Sequence, residues 1–327
     1  MKFCAPTLSS RTRCSQVKQM KTDDLRTKLF GAIAFPVTPF NSDLSLDIPG
    51  LRRNLQVLLQ QPIAAVVAAG GTGELYSLTP AEHLAVTQAT VEKVNGRVPV
   101  ISSTGFNHPL AIQLAQQSER IGADAVLALP PYYPSADDQG LAEYYAAIGS
   151  ATSLPLLVYS RDWVNPSPAW VEKLAAKVPT LFAWKEGQAD VRRYQQIMDR
   201  VGDRLHWIGG AGDDCVPAYY SIGIRCYTSS IATIAPKLSL LLHETASSDE
   251  RDELNRLMKD YVIPLYALRS RRKGYEVTVM KEIMNRIGLA AGPVRPPLPA
   301  LRSAEIAEID SLIKQWGAFL TSEVLVS

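Results

Sequence analysis

Residues 64–80 read AAVVAAGGTGELYSLTP, and this stretch contains one complete strand, a turn and a helix start. The apolar run at 64–70 is short and ends in glycine, which is typical of a buried strand. Thr79 is suited to cap a helix, with Pro80 at the first helical position and Glu82 three residues after the cap. A strand followed by a capped helix is the repeating unit of parallel α/β folds.

The same unit recurs along the chain from residue 31 onward. Short apolar runs alternate with polar or Gly/Pro turns and with segments whose apolar residues recur at helical spacing. Strands are predicted at 31–37, 64–70, 98–103, 125–130, 155–160, 181–186, 205–210 and 224–230. Because the loops are short, each return crossover needs a helix, which implies parallel pairing. Eight units in about 200 residues favour a TIM (β/α)8 barrel over an open doubly wound sheet.

The barrel is predicted over residues 27–235, with further segments on both sides. Residues 236–327 are predicted to form a helical C-terminal extension, interrupted by the proline-rich linker AGPVRPPLPAL at 291–301. Residues 1–26 carry basic side chains with little apolar periodicity. We interpret them as a disordered N-terminal extension, the alternative being a transit-like or nucleic-acid-binding arm.

The composition is that of an ordinary globular protein. Of the 327 residues, 46% are hydrophobic and 20% are charged, and the formal net charge is +2. This balance argues against nucleic-acid and membrane-surface partners, which usually require a clustered basic excess. No apolar run is long enough to cross a bilayer. One basic run could form such a patch, but we favour a solvated or interface loop; it consists of Arg269, Arg271, Arg272 and Lys273.

The cysteines indicate neither a metal site nor a disulfide framework. The four cysteines form no CxxC pair and no zinc-ligand spacing with the four histidines. A reducing cytoplasm fits this pattern.

Two polar side chains close neighbouring predicted strands and suggest catalysis, because active sites of (β/α)8 barrels form at the carboxyl ends of the strands. Lys185 closes the sixth strand in AWKEG, where burial would depress its pKa and leave an amine that attacks a carbonyl. Tyr159 closes the fifth strand in VYSRD, where it could relay protons beside such an amine. The alternatives are a rim lysine paired with Glu186 and a tyrosine that only fills the core.

The glycine-rich turn after the second strand suggests an anion site. The glycines at 70, 71 and 73 are too closely spaced for a dinucleotide-binding GxGxxG motif, and no Gly-Lys-Ser/Thr follows as in a Walker loop. Glycine permits close approach, so consecutive N–H groups and the Thr72 hydroxyl could converge on a carboxylate. The alternative is a tight turn without a ligand.

Four motifs together resemble the dihydrodipicolinate synthase and N-acetylneuraminate lyase superfamily. They are GGTGE on the second strand, PPYY after the fourth, VYSRD on the fifth and WKEG on the sixth, and the resemblance extends from residue 28 to about residue 300. It implies a homotetrameric barrel that acts on a small-molecule 2-oxo acid without a metal or an organic cofactor.

The resemblance also implies roles for individual residues. By motif position, Lys185 is the Schiff-base lysine and Tyr159 its proton-transfer partner. Gly71 and Thr72 correspond to the cradle of the substrate carboxylate. In PPYY, Tyr133 or its neighbour Tyr132 is similar to the tyrosine that the superfamily often shares across a subunit interface.

Within the superfamily, the chain resembles the decarboxylating dehydratases of 5-dehydro-4-deoxyglucarate. The features are GGTGE in place of the synthases' GTTGE, the RD after Tyr159, and the ending PLYALRSRRKGYEV...AGPVRPPL. Gly71 lacks the threonine hydroxyl that the synthases use in a relay. Ser160 departs from this branch, which usually has asparagine there, and Trp163 stands where another asparagine is common.

This branch converts its substrate to 2,5-dioxopentanoate, water and carbon dioxide in glucarate and galactarate catabolism. The alternatives are an aldolase or synthase of the same superfamily and a non-catalytic barrel that binds a 2-oxo acid. For the distal part of the substrate, we predict contacts with Ser229 and Ser230 at the end of the eighth strand. Arg161 is a possible charge partner there, unless it pairs with Asp162 on the rim.

Overall fold

The fold is a closed barrel of eight parallel strands, arranged in the order in which they occur along the chain. The computed structural model describes residues 22–320. The strands are β1 Gly31–Ala34, β2 Ala65–Ala68, β3 Val100–Phe106, β4 Ala125–Pro131, β5 Leu156–Ser160, β6 Leu181–Glu186, β7 His206–Gly209 and β8 Cys226–Ser229. Each strand overlaps the segment predicted for it, and the predicted (β/α)8 barrel is confirmed.

Helices follow the strands and form an outer layer. The described α-helices are α1 Thr22–Lys28, α2 Ile48–Leu58, α3 Pro80–Val94, α4 His108–Arg120, α5 Asp138–Ser150, α6 Pro168–Lys177, α7 Val191–Val201, α8 Val216–Ser221, α9 Pro236–Ser247, α10 Arg251–Leu257, α11 Ile263–Arg269, α12 Tyr275–Arg286 and α13 Ser303–Trp316. A π-helical segment, Met258–Val262, connects α10 to α11. Within residues 22–320, no helix is both long enough and apolar enough to span a bilayer.

The barrel extends beyond the predicted range 27–235 at both ends. Helix α9 follows β8 and packs against β1 and α8, so the eighth barrel helix lies in the range predicted as the C-terminal extension. Helix α1 begins before residue 27 and buries Leu25 completely. The other residues of the predicted N-terminal extension, 1–21, and the last seven residues of the chain lie outside the described part.

The strand register brings the two candidate catalytic residues together. Tyr159 on β5 lies opposite Lys185 on β6, and Ser160 lies opposite Glu186. Successive side chains of a strand point to opposite faces. Tyr159 and Lys185 therefore share the face toward the barrel interior, and Ser160 and Glu186 share the other face.

Apolar side chains fill the barrel below the carboxyl ends of its strands. This cluster includes Ile33, Val67, Ile101, Leu127, Leu157, Phe182 and Ile208, each at most 3% exposed. Residues of this kind form the packed layers typical of (β/α)8 barrels. The barrel interior is therefore a core rather than a pore.

A buried ion pair connects the glycine-rich turn to the C-terminal helices. Glu74 is fully buried and has a positive φ of 56°. Its Oε1 lies 2.6 Å from Lys281 Nζ on α12, and its Oε2 accepts a hydrogen bond from the Arg295 backbone N–H at 3.1 Å. Lys281 Nζ also donates to the Pro293 carbonyl at 2.9 Å. The C-terminal extension thus supports the turn through a buried ion pair and a backbone hydrogen bond.

The predicted capping box at the start of α3 is confirmed. Glu82 N–H donates to Thr79 Oγ1 at 3.2 Å, and Thr79 N–H donates to Glu82 Oε2 at 2.9 Å. Arg295 forms an ion pair with Glu82, and its hydrogen bond lowers the pKa of Glu82 to about 2. Since Arg295 also holds Glu74, one linker residue braces both ends of the segment between the turn and α3.

We expect Lys281→Met to lower the free energy of unfolding by about 3–5 kcal/mol, because it leaves the Glu74 carboxylate buried without its ion-pair partner. The double variant Lys281→Met/Glu74→Gln should regain most of this loss, since no buried charge is then uncompensated. Denaturant unfolding of the wild type and the variants measures both effects.

An exposed ion pair provides the matched control. Arg251 and Asp249 are 79% and 77% exposed, so Arg251→Met should leave the unfolding free energy nearly unchanged. Equal losses in the single and double Lys281 variants would contradict the assignment of the stabilisation to the ion pair.

Candidate active site

A cavity of about 490 Å³ opens at the carboxyl end of the barrel. This volume is in the range of small-molecule sites. The strands and their loops contribute Phe35, Gly71, Thr72, Leu129, Tyr132, Tyr159, Arg161, Trp163, Lys185, Gly210, Thr228 and Ser230, and the C-terminal extension contributes Tyr266, Arg269, Glu276 and Val277. Of the predicted site residues, Lys185, Tyr159, Gly71, Thr72, Arg161 and Ser230 line this one cavity.

Lys185 is buried in a position that favours its neutral amine. The residue is 3% exposed, and Nζ donates to the Gly210 carbonyl at 2.9 Å. Burial lowers the pKa of Lys185 well below its ordinary value, and the positive charge of Arg161 lowers it further against the opposing effect of Glu186. The unprotonated amine is the form that attacks a carbonyl.

Tyr159 lies directly beside the lysine. Its hydroxyl donates to the same Gly210 carbonyl at 3.1 Å, and its ring centroid is 3.0 Å from Lys185 Nζ. Burial raises the pKa of Tyr159, which keeps the side chain a phenol. A phenol at this distance can pass a proton to or from an atom bonded to Nζ.

Two glycines make room for this pair. A Cβ on Gly187 would lie 2.4 Å from Tyr159 Cε2, and a Cβ on Gly210 would lie 2.5 Å from Lys185 Cγ. Any larger residue at either position would displace one of the two side chains.

Glu186 does not pair with Lys185, contrary to the alternative of a rim lysine. Glu186 is 3% exposed and accepts hydrogen bonds from the Tyr219 hydroxyl at 2.8 Å and from the Gln188 backbone N–H. Its side chain lies on the opposite face of β6 from Lys185 because the two residues are consecutive in a strand. Glu186 therefore influences the lysine only through its charge.

The glycine-rich turn presents Gly71 and Thr72 to the cavity. A Cβ on Gly70 would lie 2.8 Å from the Phe35 ring, so glycine is required there. The Thr38 hydroxyl donates to the Gly73 carbonyl at 2.6 Å and holds the turn from the β1 side. The turn is thus braced on both sides, and its cavity edge is free to contact a ligand.

Arg161 lies at the edge of the cavity, and the pairing with Asp162 that was weighed from the sequence is present. Its guanidinium lines the cavity, and its Nε also pairs with Asp162 at 2.7 Å. Its Nη1 lies 3.4 Å from the point that a Cβ on Gly71 would occupy. Arg161 therefore sits beside the glycine-rich turn, and the missing side chain of Gly71 leaves space for it.

Ser229 lies outside the cavity lining, whereas Ser230 lines the cavity. Ser229 is fully buried, donates to Asp213 Oδ1, and shares a hydrogen bond with Ser239 at 2.7 Å. Because side chains alternate across a strand, Thr228 faces the cavity and Ser229 faces the helices.

The tyrosines of PPYY occupy different environments. Tyr132 lines the mouth of the cavity and is 72% exposed, whereas Tyr133 is 60% exposed and lies outside the cavity lining. The two rings contact each other edge to face with centroids 6.4 Å apart.

Ser160, where the resembling branch usually has asparagine, does not line the cavity. Its hydroxyl donates to the Val164 carbonyl at 2.9 Å and is buried. Trp163 does line the cavity, and its Nε1 donates to the Pro131 carbonyl at 3.2 Å. The first substitution therefore leaves the cavity unchanged, while the second places an indole in its wall.

Helix α11 contributes two residues to the cavity that were not predicted from the sequence. Arg269, assigned to a solvated or interface loop, is 8% exposed and reaches into the cavity, and Tyr266 lines the cavity beside it. The two residues are three positions apart, which places them on one face of a helix. This spacing of three residues is the sequence signal that could have identified Tyr266 and Arg269 as neighbours. Arg271 of the same basic run is solvated and pairs with Glu308.

Comparison with known proteins agrees with this geometry. The model of the dihydrodipicolinate synthetase family matches residues 28–316. A probable 5-dehydro-4-deoxyglucarate dehydratase of Bradyrhizobium diazoefficiens is 36% identical over 90% of this chain and 94% of that protein. A protein of the same name from Methylobacterium radiotolerans is 39% identical over 86% of this chain and 94% of that protein.

Solved structures show the same fold. Dihydrodipicolinate synthase from Oceanobacillus iheyensis superposes with a TM-score of 0.85 at 30% identity, covering 90% of this chain and 99% of that one. The enzyme from Bacillus clausii gives a TM-score of 0.85 at 27% identity, covering 89% and 99%. The family match and the identity over most of the chain show that this protein belongs to the dihydrodipicolinate synthetase family.

Proposed function

We propose that this protein is a Schiff-base lyase that dehydrates and decarboxylates 5-dehydro-4-deoxy-D-glucarate to 2,5-dioxopentanoate, water and carbon dioxide. One observation carries the proposal: a single cavity contains the buried amine of Lys185, the phenol of Tyr159 and the guanidinium groups of Arg161 and Arg269. An amine for a ketone and two cations for two carboxylates suit a 2-oxo diacid. The names of the relatives support this choice of substrate.

The reaction would begin at the ketone. Lys185 Nζ attacks the carbonyl carbon, and the resulting carbinolamine loses its hydroxyl as water to give a protonated imine. Tyr159 is placed to supply the proton that this departing hydroxyl needs, since its hydroxyl and Nζ share the Gly210 carbonyl. The carboxylate next to the ketone would occupy the cradle of Gly71 and Thr72, with Arg161 beside it.

Dehydration would follow from the acidity of the methylene next to the imine. Because burial keeps Tyr159 a phenol, we assign the removal of this proton to a water that Tyr159 orders. The electron pair moves into the imine and forms an enamine. The enamine then expels the β-hydroxyl, which takes a proton and leaves as water, so that a conjugated iminium remains.

Decarboxylation would use the same electron sink. The bond to the far carboxylate breaks, carbon dioxide leaves, and its electron pair moves through the conjugated system to the iminium nitrogen. Protonation and hydrolysis return the amine of Lys185 and release 2,5-dioxopentanoate. One lysine serves both eliminations, and no metal or organic cofactor takes part in any step.

A second candidate is a 2-oxo acid aldolase or synthase, favoured by the names of the structural neighbours. Gly71 argues against a synthase because it lacks the threonine hydroxyl of the synthases' GTTGE motif. A barrel that only binds 2-oxo acids would also retain this cavity. The products distinguish the three: an aldolase releases pyruvate, a dehydratase of this branch releases carbon dioxide, and a binding protein releases neither.

We further propose a cytoplasmic homotetramer in which Tyr133 contributes to a neighbouring subunit. Two large aromatic side chains at the mouth of the cavity, Tyr132 and Tyr133, are more than half exposed in the single chain. Exposed aromatic clusters are typical of protein interfaces.

Borohydride reduction in the presence of 5-dehydro-4-deoxyglucarate should add covalent mass at Lys185, and turnover should release carbon dioxide. Lys185→Met, which keeps the size and the apolar stem of the side chain, should show neither. Peptide mass spectrometry and gas evolution measure the two effects. Full turnover by Lys185→Met would overturn the mechanism, and pyruvate release in place of carbon dioxide would favour an aldolase.

The rate of imine trapping should fall as the pH decreases through the pKa of Lys185, because only the neutral amine attacks. Arg161→Gln should move this acid limb to higher pH, since the positive charge of Arg161 lowers the pKa of Lys185. Glu186→Gln should move it to lower pH, since the charge of Glu186 raises that pKa. Cyanoborohydride trapping with pyruvate across a pH series measures the shifts, and Arg161→Lys is the charge-preserving control. Shifts of the same sign in both neutral variants would contradict the assignment.

Gly71→Thr should raise KM for the diacid about tenfold or more, because its γ atoms push the Arg161 guanidinium away from the turn and a charge-assisted hydrogen bond is lost. Gly71→Ala is the matched control, since its Cβ would lie at an ordinary contact distance of 3.4 Å from Arg161 Nη1. Steady-state kinetics compares them. Equal KM values for wild type and Gly71→Thr would show that the space at residue 71 is not needed.

A further inference from the structure

A buried cation without a carboxylate partner lies at the edge of the cavity formed by α11. Arg269 is 8% exposed, and its Nη1 donates to Ser230 Oγ at 2.7 Å. Its Nε has no hydrogen-bond partner among residues 22–320, and none of the carboxylates in that range lies within ion-pair distance of the guanidinium. A charge buried in this way is unfavourable unless a ligand compensates it.

The carboxylate of Asp213, which interacts electrostatically with Arg269, already accepts hydrogen bonds from other donors. Asp213 is fully buried, and its Oδ2 accepts hydrogen bonds from the Tyr266 hydroxyl at 2.9 Å and from the backbone N–H groups of Ser230 and Ile231 at 3.2 and 3.3 Å. Its Oδ1 accepts from the Ser229 hydroxyl. Asp213 therefore fixes the position of the surrounding groups and leaves the guanidinium of Arg269 without a paired oxygen.

The ring of Tyr266 holds the guanidinium of Arg269 in place. Its guanidinium carbon lies 4.6 Å from the centroid of the Tyr266 ring, which stacks beneath it one helical turn away. A Cβ on Gly212 would lie 2.4 Å from the Tyr266 hydroxyl, so glycine there admits the tyrosine. Residues of the β7 loop, the end of β8 and α11 thus combine to orient one guanidinium.

We infer that Arg269 and Ser230 form a subsite for the second carboxylate of a dicarboxylic substrate, the carboxylate that leaves as carbon dioxide. A guanidinium edge with an unused Nε–H matches a carboxylate in geometry and charge. The inference deepens the proposed function and rests on it for the fate of this carboxylate. It assigns the contact with the distal part of the substrate to Arg269 together with Ser230, in place of Arg161 and Ser229.

This arrangement should govern binding more than the chemical step. The carboxylate loses its negative charge as carbon dioxide forms, so its attraction to Arg269 is weaker in the transition state than in the ground state. Removal of the guanidinium should therefore raise KM without lowering kcat, because the ground state loses more stabilisation than the transition state. Truncation of one partner of a buried, hydrogen-bonded charge pair corresponds to a loss of affinity of about 30-fold or more.

The experiment compares Arg269→Gln with Arg271→Gln, a neighbouring arginine that pairs with Glu308 at the surface. Calorimetry measures the binding of adipate, a six-carbon diacid without a ketone. Borohydride trapping compares 2-oxoadipate, which has the chain length of the substrate, with 2-oxobutyrate. We expect the wild type and Arg271→Gln to bind adipate. Both should be trapped at lower concentrations of the 2-oxo diacid than of 2-oxobutyrate. Arg269→Gln should lose adipate binding by about 30-fold or more and lose the preference for the diacid, with unchanged trapping by 2-oxobutyrate.

A stability measurement distinguishes ligand binding from a structural role. The positive charge of Arg269 lowers the pKa of the buried Asp213, but the two groups form no ion pair, and Asp213 keeps its hydrogen bonds from Tyr266 and Ser229. Arg269→Gln should therefore remain folded in the absence of ligand, with an unfolding temperature close to that of the wild type. Unchanged adipate binding and an unchanged diacid preference in Arg269→Gln would overturn the subsite. Loss of adipate binding in Arg269→Gln, together with a wild type that forms no adduct at Lys185 with any 2-oxo acid, would keep the subsite and overturn the proposed function alone.

Discussion

The Gly210 carbonyl oxygen accepts hydrogen bonds from both the amine of Lys185 and the hydroxyl of Tyr159, and the candidate chemistry depends on this shared acceptor. It holds the amine against the phenol in a buried position where the charged form of the lysine is disfavoured. Only glycine at 210 leaves room for the lysine stem. A backbone oxygen suits this task because it orients the amine without adding a negative charge that would restore its proton.

The cavity also depends on the part of the C-terminal extension that follows the last barrel helix, α9. Helix α12 and the proline-rich linker hold the glycine-rich turn through the buried pair of Glu74 and Lys281. Helix α11 places Arg269 over the end of β8. The barrel therefore supplies the amine and the phenol, and the extension supports the turn on one side and adds a cation on the other. In the proposed function, this division supplies one cation for each of the two substrate carboxylates.

Much of the fold and part of the site could be predicted because their signals are local. Strands buried on both faces appear as short apolar runs, and Lys185 and Tyr159 stand out as polar residues at the ends of such runs. The position of Ser229 outside the cavity could not be predicted, because a difference of one residue in a strand reverses the side-chain direction and the pattern at 224–230 does not define the register that closely. Arg269 was missed because its contact with Ser230 spans 39 residues and its neighbours in the sequence are solvated charges.

The sequence by itself determined the order of strands and helices, the positions of the lysine and the tyrosine at the carboxyl ends, and the glycine-rich turn. Periodicity, capping and strand-end position are short-range properties, so they can be recognised along the chain. Only the tertiary structure decided which side chains enter the cavity. Arg269 lines it, Ser229 does not, and Arg161 lies beside Gly71. The direction of these side chains depends on how α11 and the loops pack on the barrel, and that packing is the sum of many contacts between distant residues.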